Sequence, residues 1–250
     1  MAGPEPWGGA FAALPAWAAV ASGLGFFATL YLAICGGNWL LTRHVLPTLG
    51  WGRPIDPRPL QPRQVRREIR ASLVSVAIFG VGTALPWWFL QQGWARLAVA
   101  PGGLRILAET ALLLAWNEVH FYASHRLLHT RPFRRWHGAH HRSVVATPWS
   151  TYSFHPVEAM LLGNVILWPM LVHDFSFAAL LALPVASLVL NTLGHANYDI
   201  APGVGDDHWL AASRRHQLHH ARSHGNYGFL ATSLDRWFGT RIEDRPARPG

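Results

Sequence analysis

Hydrophobic and polar positions divide this chain into long apolar stretches parted by short polar ones. Residues 14–41 carry no formal charge, and a helix needs only about 20 apolar residues to cross the ~30 Å hydrocarbon core. They predict a first membrane helix, in which Gly23, Gly25, Gly36 and Gly37 would permit close helix contact. A second span is predicted over 71–90, closed by Trp87 and Trp88 at the interface. A third helix is predicted from about 104 to about 129. At 1.5 Å per residue it would measure ~39 Å, so its C-terminal end projects beyond the lipid. Residues 157–172 and 175–193 are again apolar and flank His173-Asp174. The first of these is short for a crossing, so the two read as a hairpin that is tilted or spans incompletely. Residues 1–13, rich in Gly, Pro and Ala, are expected to be poorly ordered. The predicted fold class is an all-α integral membrane protein. It has four to five membrane helices, the last two a hairpin, and a cytoplasmic helical cap.

Charge fixes an orientation for this pattern. The chain has no lysine, and 19 of its 21 arginines lie in 42–70, in 126–142 or from 214 onward. Alternating spans place all three segments on one side, which the positive-inside rule makes cytoplasmic. The N-terminus is then outside, and the expected setting is a bacterial inner membrane. A net charge of +8 invites a nucleic-acid reading. With half the residues apolar and only 14% charged, the arginines instead indicate a membrane surface and no nucleic acid. The single Cys35 excludes a disulfide framework, a cysteine zinc site and a thiol redox pair. With no arginine or lysine before Arg43, the first apolar run lacks the positive start of a secretory signal.

The candidate chemistry is carried by histidine. Six of the fifteen fall between Glu118 and His141, and His216, His219, His220 and His224 form a second dense group. His125 and His129 stand four apart. His137, His140 and His141 stand at i, i+3, i+4, as do His216, His219 and His220. Residues at these spacings share a helix face, so each set points its imidazoles one way, as transition-metal ligation requires. Eight histidines in three such sets predict a polynuclear metal site. Two rival readings are a membrane metal-binding protein or transporter, and a zinc hydrolase. The hydrolase lacks its sequence signature, since neither HExxH nor HxxEH occurs.

The motifs HRLLH (125–129), HGAHH (137–141), FHPVE (154–158), NTLGH (191–195), HQLHH (216–220), NYG and LDRWFGT (234–240) follow in order. In this the chain resembles the fatty acid hydroxylase/sterol desaturase superfamily of integral membrane oxygenases. FHPVE and NYG lean toward its sterol C5-desaturase side. The resemblance implies a catalytic domain over 104–240, after membrane helices and an Arg-rich connector in 1–103 and before a tail at 241–250. It implies two iron ions (zinc can replace iron in a purified sample), with O₂ as co-substrate. It also implies hydroxylation or desaturation of a membrane lipid at an unactivated C–H bond. The family pattern carries over onto His125, His129, His137, His140, His141, His216, His219 and His220. Its context makes His195 the ninth ligand, and His155 is either a tenth or a donor to one. Glu118 and Tyr122 are expected to support His125 by hydrogen bonding. No HPGG haem motif occurs, so the electron donor is expected to be a separate ferredoxin or cytochrome b5-like protein with its reductase.

Overall fold

The computed structural model describes residues 5–243 and is mostly helical. Three helices are long and apolar enough to cross a membrane: α2 (Ala16–Thr48), α3 (Gln64–Gln91) and α7 (Phe177–Gly194). α1 (Pro6–Ala12) precedes them, which corrects the expectation of disorder for most of 1–13. It is held by the Gln91 side chain donating to Ala12 O and by Glu5 accepting from the Ala178 backbone. Residues 1–4 lie outside the described chain.

α2 and α3 form the largest helix–helix contact, and their closest approach needs two glycines. A Cβ on Gly23 would collide with Thr83 Oγ1, and one on Gly80 would lie 2.7 Å from Leu24 Cα. Gly25 and Gly37, expected to serve the same purpose, face open space. α3 also begins earlier than its apolar run. Its first turns carry the buried Gln64, Glu68, Ser72 and Ser75, which face protein. Glu68 accepts from Gln64 and from Thr147, Gln64 also donates to Val145 O, and Ser72 donates to Trp149 O. The polar end of this helix therefore clamps the loop that follows the HGAHH motif.

α4 (Gly103–Leu128) runs 26 residues and ends where expected, although its charged and amide residues keep it out of the strongly apolar set. Short α5 (Arg134–His137) follows. α6 (Pro156–Val172) is broken by a 3-10 turn at Asn164–Ile166 and leads through His173-Asp174 into α7, but α6 packs chiefly on α3 and α7 on α4 and α2, so the two do not form the expected closely paired hairpin. Two further helices, α8 (Ala212–Arg222) and α9 (Ser233–Trp237), follow. The connector after α2 is pinned rather than loose. Its strand β1 (Arg53–Pro54) pairs antiparallel with β2 (Tyr198–Asp199), and the Asn197 side chain bonds the Asp56 backbone twice. Leu113, Met170, Phe175, Leu180 and Leu183 form one core among α4, α6 and α7. Tyr31, Cys35, Val76, Tyr152, Phe154 and Leu188 form another directly beneath the histidines.

Candidate metal centre

Most of the site histidines stand at helix ends or on the short elements between them, and there the rings gather. His125 and His129 close α4, and His137 ends α5. His140 and His141 open the 3-10 turn after it, His195 caps α7, and α8 carries His216, His219 and His220. They meet in two groups. One contains His125, His129, His137, His141 and His219, and the other His140, His195, His216 and His220. Within each group the ligand atoms lie within 4.8 Å of one another. The groups adjoin, with the His141 and His220 ring centroids 4.9 Å apart.

All nine rings present Nε2. In the first group the Nε2–Nε2 separations are 3.1 Å (His125–His137), 3.0 Å (His137–His141), 3.3 Å (His129–His141) and 3.1 Å (His141–His219). In the second they are 3.2 Å (His140–His195), 3.0 Å (His195–His216) and 3.1 Å (His216–His220). Two imidazoles bound at right angles to one cation, with bonds of about 2.1 Å, have nitrogens about 3.0 Å apart. The donor set therefore fits a metal at the focus of each group.

The far sides of the rings show why Nε2 is the free atom. Nδ1 of His125 donates to Tyr227 O at 3.0 Å, that of His195 to Asn191 O at 2.8 Å, and that of His219 to Gly225 O at 2.6 Å. A carbonyl can only accept, so these rings carry hydrogen on Nδ1 and a lone pair on Nε2. His137 Nδ1 lies 2.7 Å from Glu158 Oε1. Lone pairs packed this closely repel unless a cation lies between them.

Burial holds the rings neutral. It lowers His129 to about 3 and His141 and His195 to about 4, and for His129 the neighbouring His141 adds to the effect. Burial first, then adjacent imidazoles, sets His137, His140, His216, His219 and His220 well below the ordinary value. On the side facing the helix bundle, a space of about 10 Å³ separates the rings of His125, His137, His140, His195 and His216 from Phe121, Leu128, Phe154 and Leu162. That is room for roughly one water-sized molecule.

Three expected residues take other places. His155 stands outside both groups, because its Nδ1 accepts from the Val157 backbone and caps α6. Glu118 touches no imidazole. Its carboxylate accepts backbone N–H groups from Phe229, Leu230 and Ala231, and so anchors the segment whose Tyr227 carbonyl holds His125. Tyr122 bonds Thr240 through its hydroxyl at 2.9 Å and receives Arg126, again away from the rings. The carboxylate that does reach a ring is Glu158, fully buried and overlooked in the sequence. Its signal was present in FHPVE: an acidic residue in the first turn of an apolar helix with no cation on that helix. Asp235 was also missed. It accepts from the Tyr227 and Gly228 backbone at 2.8 Å each and fixes the same segment as Glu118.

Residues 110–240, over half of the chain, match the family model described as fatty acid hydroxylase. The chain belongs to that family. Its relatives include the Delta(7)-sterol 5(6)-desaturase erg3C of Aspergillus fumigatus, 28% identical, with 74% of this chain and 65% of the relative covered. ERG3A of Gibberella zeae, of the same activity, is 29% identical over 85% of this chain and 62% of its own length. ERG3 of Saccharomyces cerevisiae is 23% identical over 74% and 51%. These place the chain on the sterol-desaturase side of the family, and it spans about half to two-thirds of their lengths. All three are fungal, so they lend no support to a bacterial inner membrane. No solved structure matches the chain.

Proposed function

We propose that this protein is an O₂-dependent lipid desaturase or hydroxylase acting on a sterol, fatty acyl chain or related membrane lipid. The observation that carries the reading is the convergence of nine imidazole Nε2 atoms into two adjoining groups, one of which includes His195 at the end of an apolar helix long enough to cross a membrane. The sterol-desaturase relatives favour a sterol substrate and desaturation. Two iron ions held by these groups would supply activation of O₂ for attack on an unactivated C–H bond. Five and four nitrogens both fall short of six-coordination, which leaves positions for exogenous ligands. A transporter would set polar ligands near the bilayer midplane on discontinuous helices, whereas these rings sit at helix ends.

The chain's own residues bind, orient and shield. Carbonyls of Tyr227, Asn191 and Gly225 fix three tautomers, and Glu158 fixes a fourth. Phe121, Leu128, Phe154 and Leu162 line the space beside the rings together with Glu158 and Asn191, and shield the reacting carbon from bulk water. A space of about 10 Å³ admits no lipid, so substrate entry requires α4, α6 and α7 to part.

Comparative lipidomics of cells with and without the gene tests the reading. A lipid that gains one oxygen or loses two hydrogens only when the gene is present is the expected result. An unchanged lipid profile alongside metal flux would overturn it in favour of transport. The arginine distribution further supports four to five membrane helices, with the cap and C-terminus cytoplasmic. Cleavage of a C-terminal tag by external protease in intact cells would refute that topology.

A further inference from the structure

Within α4 one buried amide has nothing to bond. Asn117 is 7% exposed, and its Nδ2 is buried without a hydrogen-bond partner among the described residues. The polar side chains beside it on the helix are paired. Trp116 donates to Val165 O at 2.7 Å, His120 bonds the Asn164 side chain at 3.2 Å, and Glu118 accepts the 229–231 backbone. Burying an amide N–H with no acceptor is unfavourable, and an apolar side chain of similar shape carries no such cost. Packing alone gives no reason for an amide at this position.

Its place on the helix ties it to the metal centre. Asn117 stands four residues before Phe121 and eleven before Leu128, spacings of about one and three turns that put all three on one face of α4. Phe121 and Leu128 line the chamber beside the rings. One turn the other way, Leu113 packs into the core with Leu180 and Leu183. The amide therefore lies where this face of α4 passes from sealed core to chamber. α7 brings a second amide, since Asn191 lines the chamber four residues before His195. At 1.5 Å per residue, Asn191 stands about 6 Å before His195 along its helix, and Asn117 about 12 Å before His125 along α4. Both helices end at the rings, so the two amides lie at successive depths on the bundle side.

We propose that the amides of Asn117 and Asn191 form a polar subsite for a hydroxyl group of the lipid substrate, and so select a lipid alcohol over a hydrocarbon of the same shape. The inference rests on the lipid-oxidation reading above and names the group recognised. The Asn117 Nδ2–H donates to the hydroxyl oxygen, and an amide oxygen accepts the hydroxyl hydrogen, so the orphaned donor is paired once lipid is in place. A subsite about 6–12 Å from the ring-bearing turns keeps the attacked carbon near the polar end of the lipid and not far along its tail. A site that bonds a buried hydroxyl also rejects the analogue lacking it far more strongly than a pocket that only matches shape.

The test measures binding to the full chain in detergent micelles. Tritiated lathosterol and a tritiated N-acyl sphinganine are the probes, each competed by its unlabelled self and by its deoxy analogue, which separates a sterol alcohol from a hydroxylated acyl lipid. Wild-type protein is expected to prefer at least one alcohol over its deoxy analogue by about tenfold or more. Asn117→Leu and Asn191→Leu, each alone, should cut that preference to about threefold or less. Asn117→Leu should also keep its metal and melt at the same or a higher temperature, which a purely structural amide would not allow. Should leucine lower the melting temperature, Asn117→Ala, which adds no bulk, is read in its place. Absence of binding by either alcohol, equal binding of alcohol and deoxy analogue in both pairs, or a preference that survives the Asn117 substitutions would overturn the proposal. Binding is read without turnover, so a failure of lipid oxidation would leave this result separately readable.

Discussion

Glu158→Ala should weaken one bound metal and spare the other. Glu158 Oε1 lies 2.7 Å from His137 Nδ1, with the two side chains only 1% and 2% exposed, so the substitution removes an acceptor from a buried position. Leaving a buried N–H unpaired costs about 1–3 kcal/mol. Independently, loss of a partner behind a ligating histidine costs about 10–100-fold in metal affinity, or about 1.4–2.8 kcal/mol. The two routes agree. His137 belongs to the five-ring group, so the loss should fall there and leave the four-ring group loaded. Metal content measured after dialysis against graded chelator should change from one step to two. Glu158→Gln keeps an acceptor oxygen and should lose less than tenfold. If the alanine variant releases both metals at the wild-type chelator concentration, Glu158 does not support His137. If both metals weaken equally, it acts through the fold instead.

His219→Ala should deplete the five-ring group and His140→Ala the four-ring group, while exposed His44→Ala and helix-capping His155→Ala should retain both metals, as read by metal analysis. Glu118→Ala removes the acceptor for three backbone N–H groups, so amide exchange should rise across residues 225–231, with partial loss of metal rather than none or all; unchanged exchange would refute the anchoring role. Acid should unfold the metal-stripped protein. His195 is lowered from its ordinary 6.5 to about 4, so folding cost is absent above pH 6.5, grows as pH falls toward 4 and is complete below it. At pH 5.5 this ring alone contributes about 1.4 kcal/mol of destabilisation, and the other buried rings act in the same direction. Denaturant midpoints that stay constant from pH 7.5 to 5.5 would contradict it.

Sequence alone determined the features that are local in origin. Uncharged runs longer than the bilayer core specify membrane helices wherever they occur, and α2 and α7 follow them closely. Helical spacing also determined that His216, His219 and His220 would share one helix, whereas His137 ends α5 and His140 and His141 lie on the 3-10 turn after it. It did not determine how the triplets divide. In the structure the i, i+4 pair His137 and His141 joins one group while His140 joins the other. His216 and His220 likewise part from His219. A face of three rings spans two metal positions, and the division depends on which rings arrive from other helices. The carboxylates show the same limit. Glu118 lies seven residues before His125 on the same helix, yet its reach is settled by the N–H groups of 229–231, over a hundred residues away. Glu158 and His137 come from different helices, and only the packing of α6 beside α5 brings them to 2.7 Å. Periodicity is a property of one helix, whereas a metal centre built from five chain segments is a property of their assembly.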